Sequence, residues 1–246
     1  MTSRIVEDAL RDRRVVVVGG TSGIGLATAA AAAEYGARAV VTGRDTERAR
    51  AAGERLGDPG AARCVDARDQ AAMRALFAEL APVDHLVLAV GTSAGIGPFA
   101  TLDLDALRAG FEDKVMAHVS AAQAALPALA RDGSITFVGA VSADRAAPGA
   151  AGLAAGNGAV QALVPSLAVE LAPVRVNAVS PGVIDTPWWS WLPDDQRGAV
   201  FAQYAERSPA GRVGTPEQVA AAILGLMTNG FLTGVVLHCD GGLRHG

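Results

Sequence analysis

The segment GGTSGIG at 19–25 holds the residues whose types and spacing point most directly to chemistry. It follows the apolar run RVVVV and precedes the helical pattern LATAAAAAEYG. Glycines between a strand and a helix let the backbone approach a pyrophosphate closely, and the free amides and dipole of a helix N-terminus favour its negative charge. An ordinary glycine-rich turn is the alternative. In the first interpretation, the phosphates of a dinucleotide bind to Gly20, Ser22, Gly23, Ile24 and Gly25.

Two charged residues follow the next apolar runs. Arg44 stands where a dinucleotide fold specific for NAD usually has an acid for the ribose 2′-hydroxyl, and a guanidinium suits a 2′-phosphate instead. We therefore expect NADP(H) rather than NAD(H) as the cofactor, with surface pairing of Arg44 and Asp45 as the alternative. Asp66, which precedes Ala67, could accept a hydrogen bond from the adenine amino group, cap the following helix, or do both.

All three tryptophans of the chain stand together in WWSW, as Trp188, Trp189 and Trp191. Such a cluster could wall an apolar or ring-shaped ligand. Tryptophans that only seat a surface segment or form a subunit contact are the alternative. We expect a small-molecule substrate of apolar character.

Short apolar runs that alternate with alanine-rich segments must position these residues. Runs such as VVVV show no polar alternation, which suits strands buried on both faces, and the intervening segments have helical length and propensity. The pattern predicts an α/β fold, a Rossmann-like doubly wound parallel sheet of seven strands with helices on both faces. The predicted strands lie at 14–19, 37–43, 61–65, 84–90, 134–138, 174–180 and 235–239.

Composition restricts the class of protein further. With 246 residues, half of them apolar, the chain suits one domain over 1–246, and its net charge of −4 comes without a basic stripe, so no nucleic-acid partner is expected. The distant Cys64 and Cys239 predict neither a disulfide framework nor a metal site. The N-terminal stretch at 1–14 lacks the apolar core of a secretory signal, and no uncharged run reaches 18 apolar residues. We expect a cytoplasmic protein without a membrane partner.

Motifs spread over nearly the whole chain resemble those of the short-chain dehydrogenase/reductase family. They are the glycine-rich turn, Asp66, GPF at 97–99, QAALPAL at 123–129, GSITFV at 133–138, LAVELAPVRVNAVSPGVIDTP at 167–187 and LTGVVLHCDGG at 232–242. The resemblance implies a nicotinamide cofactor, a homodimer or homotetramer, and a substrate-side flap at about 183–215. It also implies cofactor contacts at Gly91, Pro181, Gly182, Ile184 and Thr186.

The same resemblance locates an active site that has lost its usual residues. The family uses an asparagine, a serine, a tyrosine and a lysine, and the matching positions here are Lys114, Ala140, Leu153 and Asn157. The chain contains only one lysine and two tyrosines, Tyr35 and Tyr204, so no YxxxK occurs in any register. The loss therefore does not depend on the alignment.

Lys114 and Asn157 suggest an exchange, because the family's amide and ammonium are both present but on each other's helices. A buried ammonium with a depressed pKa can donate a proton near neutral pH, whereas a surface pair with Glu112 or Asp113 is the alternative. Ser142 is the third catalytic candidate. Weaker candidates are Thr92, Ser93, His118, Asp144, Arg145 and Tyr204.

These observations predict an NADP(H)-binding oxidoreductase that acts on an apolar carbonyl or alcohol with a rearranged active site. The alternatives are a non-redox enzyme of the same fold, such as an isomerase, dehydratase or cyclase, and a cofactor-binding protein without catalysis.

Overall fold

A single sheet of parallel strands runs through the centre of the protein in the computed structural model, which describes Val6 and residues 8–246. Of the N-terminal stretch examined for a signal, residues 1–5 and 7 therefore lie outside the described residues. The strands are β1 (Arg14–Val18), β2 (Arg38–Gly43), β3 (Ala62–Cys64), β4 (Val83–Leu88), β5 (Leu129–Val138), β6 (Arg175–Pro181) and β7 (Val236–Cys239). Their order is β3-β2-β1-β4-β5-β6-β7, which confirms the predicted doubly wound sheet.

Helices connect the strands and cover both faces of the sheet. They are α1 (Gly23–Glu34), α2 (Thr46–Arg55), α3 (Gln70–Leu80), α4 (Leu104–Phe111), α5 (Ala117–Ala125), α6 (Ala151–Glu170), α7 (Asp194–Arg207) and α8 (Pro216–Thr228). A π-helical turn, Glu112–Met116, joins α4 to α5. Residues 8–10 are also helical and precede β1.

Strand β1 shows why an unbroken valine run forms the middle of this sheet. Val16 and Val18 belong to the apolar cluster on one face, and Val15 and Val17 to the cluster on the other. Side chains alternate across a strand, so a strand covered on both faces needs apolar residues at every position. In register, β1 pairs with β2 and β4, for example Val16 with Val40 and with Leu86.

The flap predicted at about 183–215 corresponds to an excursion of the chain between Ile184 and Gly214. It consists of a short 3-10 turn, Pro187–Trp191, and of α7. A parallel bridge between Ile184 and Gly214 closes its base. The excursion therefore leaves and returns beside the carboxyl end of β6.

In the described part of the chain, α6 is the one helix with the length and apolar composition of a membrane span, at a mean hydropathy of 1.2. Val160 and Val164 of this helix are fully buried in the core. It packs along β6 and the π-helical turn. A core helix passes the same test of length and composition, so α6 is not an argument for membrane insertion.

Candidate functional site

A cavity of about 440 Å³ opens at the carboxyl ends of the strands, where open α/β sheets bind ligands. Its arginine-rich end is formed by Arg44, Arg48 and Arg68, and its tryptophan end by the flap, the loop after β5 and the start of α6. The cavity is lined by these residues predicted for the site: Ser22, Gly23, Ile24, Gly25, Arg44, Asp66, Ala67, Gly91, Lys114, Ala140, Ser142, Leu153, Asn157, Pro181, Gly182, Ile184, Thr186, Trp188 and Trp189. Gly20 and Trp191 do not line it.

The glycine-rich turn requires a correction at its first glycine. Gly19 has φ +80°, and a Cβ there would lie 2.8 Å from the main chain of Ala89 and Val90. A Cβ at Gly20 would instead meet Val17 and Val41 inside the fold. Gly19 lines the cavity and Gly20 does not, so the first glycine of the motif is Gly19, which also has the GxxxGxG spacing to Gly23 and Gly25.

The first turn of α1 is open towards the cavity. Ser22, at the N-cap, makes no side-chain cap, and Gly25 would place a Cβ 2.4 Å from the main-chain oxygen of Gly19. The turn can therefore be this tight only with glycine at this position. The uncapped amides of the helix N-terminus line the wall and favour an anion there.

At the arginine-rich end, two guanidinium groups share one carboxylate. Arg44 Nη1 lies 3.2 Å and Arg68 Nη1 3.0 Å from Asp113 Oδ1. Arg68 also pairs with Asp66 at 2.7 Å, and this hydrogen-bonded pairing lowers the pKa of the Asp66 carboxyl. Asp113, on the π-helical turn, thus connects the ends of β2 and β3 to the opposite wall of the cavity.

At the arginine-rich end, the structure contradicts the alternative roles that the sequence left open for Asp45 and Asp66. Asp45 does not pair with Arg44, because its carboxylate caps α2 by accepting from the Arg48 amide at 2.8 Å. Asp66 does not cap α3, since Asp69 accepts from the first amides of that helix. The carboxylate of Asp66 is therefore held at the cavity by Arg68.

Lys114 lies in the wall of the cavity and does not form a surface ion pair. The residue is 7% exposed, and Nζ donates to the main-chain oxygens of Val90 at 2.9 Å and Val138 at 2.7 Å. Burial lowers the pKa of the ammonium to about 7. The residue sits in the π-helical turn, a helix irregularity that is frequent at functional sites. The proposed pairing with Glu112 or Asp113 is therefore wrong.

Asn157 and Ser142 form a second polar group in the lining of the cavity. Asn157 Nδ2 donates to Ser142 Oγ at 3.1 Å and to the main-chain oxygen of Leu153 at 3.0 Å, while its Oδ1 is buried without a hydrogen-bond partner. Lys114 and Asn157 line one cavity from neighbouring helices, as expected from the exchange. They do not hydrogen-bond each other, because strand-end carbonyls hold the ammonium.

His118 is a core residue that does not line the cavity. Its ring nitrogens lie 2.6 Å from the main-chain oxygen of Lys114 and 2.9 Å from that of Leu88. Burial, and then the charge of Lys114, lowers the pKa of the imidazole to about 3, and a neutral ring can donate to only one of these two oxygens. The imidazole thus lies between the helical layer and the end of β4.

The tryptophans separate into two that line the cavity and one that supports them. Trp188 Nε1 donates to the main-chain oxygen of Thr92 at 3.0 Å, and Trp189 Nε1 to that of Ile184 at 3.0 Å. Trp191 stacks on Trp189 with ring centroids 6.2 Å apart. Trp191 was expected at the ligand, but it packs behind Trp189 because the 3-10 turn points it outward.

Tyr204 of α7 also lines the cavity, although the sequence favoured ordinary packing for it. Its position in the flap was the only feature of the sequence that indicated a place at the cavity. Its phenol adds a hydroxyl to the tryptophan end.

Comparison with known proteins places this geometry in a family. The family profile described as enoyl-(acyl carrier protein) reductase matches residues 18–244. A cis-4-hydroxycyclohexanecarboxylate dehydrogenase of Sinomonas cyclohexanicum is 36% identical over 249 residues, which cover 96% of this chain and 98% of that protein. The chain belongs to the short-chain dehydrogenase/reductase family of oxidoreductases.

Two solved structures have the same fold. A small-chain dehydrogenase in complex with NADPH is 29% identical, with a TM-score of 0.82 over 96% of this chain and 100% of that chain. The MalC reductase/Diels-Alderase of Malbranchea aurantiaca is 27% identical, with a TM-score of 0.88 over 99% of this chain and 100% of that chain.

Proposed function

We propose that the protein is an NADP(H)-dependent oxidoreductase that interconverts a carbonyl and an alcohol, with the Lys114 ammonium as its proton donor. The observation that carries this proposal is the position of Lys114 Nζ at the cavity wall, between the main-chain oxygens of Val90 and Val138. These two hydrogen bonds leave one N–H of the ammonium for a ligand. A pKa of about 7 means that the proton can be given and recovered near neutral pH.

The residues at the arginine-rich end and the glycine-rich turn fit the dinucleotide. Gly19, Gly23 and Gly25 line the cavity without side chains, and the turn needs glycine at 19 and 25 because a Cβ there would collide with neighbouring backbone. Arg44 and Arg68 offer guanidinium groups suited to a 2′-phosphate. The related structure that contains NADPH supports the choice of cofactor. When bound, NADPH supplies the hydride for the carbonyl carbon.

The remaining steps use side chains of the protein. Lys114 Nζ donates a proton to the carbonyl oxygen, which completes the alcohol, and the amine recovers a proton from solvent. Ser142 Oγ accepts from Asn157, so its own hydroxyl hydrogen is free to donate to the substrate oxygen. Leu153 and Ala140 contribute no acid, so Lys114 and Ser142 together replace the family's tyrosine and serine.

The test begins with cofactor binding and continues with turnover. Titration with NADPH and NADH, followed by nicotinamide fluorescence, should show tighter binding of NADPH. Ring ketones such as 4-oxocyclohexanecarboxylate, chosen from the name of the Sinomonas relative, should then oxidise NADPH. The Lys114→Met variant should bind NADPH normally but lose about 100-fold or more in kcat. Failure to bind either nucleotide, or full activity in Lys114→Met, contradicts the proposal.

A second candidate is a non-redox enzyme such as a cyclase that keeps the cofactor fold. It is favoured by the apolar Leu153 and Ala140 at the family's tyrosine and serine positions and by the likeness to MalC, whose name combines a reductase and a Diels-Alderase. NADPH binding without NADPH oxidation by any carbonyl would support this second candidate or a protein without catalysis.

A homodimer or homotetramer remains a prediction, as does a cytoplasmic location. Phe99, Leu104 and Val169 are 81%, 60% and 81% exposed, which is the kind of apolar surface that a subunit contact would cover. Light scattering during gel filtration would measure the molar mass.

A further inference from the structure

Arg145 brings a positive charge to the tryptophan end of the cavity. It follows the 3-10 turn Val141–Ala143 after β5, and its amide donates to the main-chain oxygen of Val141 at 2.8 Å. Its guanidinium lines the cavity and makes one hydrogen bond to the described residues, from Nη2 to the main-chain oxygen of Gly246 at 3.3 Å. Nε is buried and has no partner. Most of the donors of this group are therefore unused.

The neighbouring acid does not neutralise Arg145. Asp144 Oδ2 accepts from Gln161 Nε2 at 3.2 Å and lies 3.4 Å from both Ser180 Oγ and His238 Nε2. These contacts hold the carboxylate behind the loop, away from the cavity lining.

The acids that do line the cavity are at its other end. Asp66 pairs with Arg68, and Asp113 pairs with both Arg44 and Arg68. Within the described residues, no Asp or Glu side chain lies within ion-pair distance of Arg145. The positively charged side chains that line the tryptophan end are Arg145 and protonated Lys114, and no carboxylate side chain of the described residues lines that end.

The rest of this end suits a ring. Trp188, Trp189 and Leu153 supply apolar wall, and Tyr204 and Leu243 extend it. Trp188 and Trp189 stand edge to face with ring centroids 4.7 Å apart, so their orientation is fixed before a ligand enters.

We propose that the substrate is an apolar ring compound that carries a carboxylate, and that Arg145 binds this carboxylate. The proposal rests on the proposed function, because it assigns the substrate class of the same cavity. A guanidinium pairs with a carboxylate through two parallel hydrogen bonds and stays charged at all working pH values. One guanidinium, whose contact within the described residues is the Gly246 oxygen, matches the single charge of a carboxylate, whereas a phosphate carries nearly two charges. Arg145 holds the anionic group while Lys114 faces the reacting oxygen.

The test compares a carboxylate with its neutral amide on one variant. Cyclohexanecarboxylate and cyclohexanecarboxamide are titrated with and without NADP⁺, and binding is followed by tryptophan fluorescence and by calorimetry. All three tryptophans lie in the flap, so the fluorescence reports on this end. Wild type should prefer the carboxylate by about 10-fold or more, and Arg145→Gln should remove that preference without weakening the amide. Arg131→Gln, at an exposed position outside the cavity, is the matched control and should behave as wild type.

Several outcomes overturn the proposal. Equal affinity of wild type for the carboxylate and the amide would overturn it. A failure of the carboxylate to bind would also overturn it. An Arg145→Gln variant that keeps its melting temperature but weakens both compounds equally shows that Arg145 only ties the loop to Gly246, which also overturns it. If NADPH fails to bind while the Arg145-dependent preference persists, the proposed function fails and the carboxylate subsite stands.

Discussion

Lys114 Nζ lies 2.7 Å from the main-chain oxygen of Val138, so the only lysine of the chain joins the helical layer to the end of β5. The residue is almost fully buried at the wall of the cavity. A cation held by neutral carbonyls keeps its hydrogen bonds but loses the hydration that favours its charge. That loss lowers the pKa of Lys114 to about 7.

The first prediction is that this pKa can be observed directly. Because the chain has one lysine, labelling with lysine enriched in ¹³C at Cε gives a single NMR signal. The signal should titrate near pH 7, instead of at the ordinary value of 10.5. If Lys114 is the acid, ketone reduction should decline as the pH rises through the same midpoint. A midpoint near the ordinary value would contradict the burial of the charge.

The second prediction concerns stability and pH in the Lys114→Met variant. Between pH 7 and 10.5 the unfolded chain keeps the lysine proton and the folded protein loses it, so wild-type stability rises with pH across this window. Methionine does not bind a proton in either state, so position 114 adds no pH dependence to the stability of the variant. The free energy of unfolding of the variant minus that of wild type should therefore fall over that window, by on the order of 5 kcal/mol.

Urea unfolding at several pH values measures this difference. The carbonyls of Val90 and Val138 lose their donor in the variant, but that cost is the same at every pH, so only the change with pH is diagnostic. A difference that stays constant across the window would show that the ammonium is solvated in the folded state.

The third prediction concerns Arg44 and its partner Asp113. Arg44→Ala should weaken NADPH binding by about 10- to 100-fold and leave NADH nearly unchanged, because only NADPH carries the 2′-phosphate. Asp113→Asn should strengthen NADPH binding, since it releases Arg44 and removes a like charge. Arg50→Ala is the control, because Arg50 pairs with Glu47 and Glu54 on the exposed side of α2. Equal losses for both nucleotides in Arg44→Ala would place the 2′-phosphate elsewhere.

The fourth prediction separates the tryptophans. Trp188→Phe removes the hydrogen bond to Thr92 that connects the flap to the loop after β4, so amide exchange in the flap should accelerate and substrate KM should rise several-fold. Trp191→Phe keeps a ring behind Trp189 outside the cavity and should change KM little. If both variants affect KM equally, the tryptophans act only through flap packing.

The fifth prediction tests the exchanged residues by restoring the family pattern. The fourfold variant Lys114→Asn, Ala140→Ser, Leu153→Tyr and Asn157→Lys should gain reductase activity towards simple ketones, because it regains a phenol acid beside a lysine. The threefold variant that retains Lys114 places two ammonium groups in one cavity and should melt at a lower temperature than the fourfold variant. Equal melting temperatures would mean that the charges at positions 114 and 157 do not repel each other.

Much of this protein follows from local sequence alone. The unalternated valine run of β1 specified a strand buried on both faces, and the alternating elements gave the parallel sheet. The absence of any YxxxK excluded the usual acid without reference to a structure. These features depend on neighbouring residues or on composition, so they can be read from the chain in order.

The tertiary structure decided which side chains meet. It buried Lys114 against Val90 and Val138, each 24 residues away, and it placed Gly19 instead of Gly20 at the cavity. It also turned Asp144 away from Arg145. Hydrogen bonds and charges between distant residues depend on how helices pack on the sheet, and that packing is set by the whole core, so no local pattern encodes these pairings.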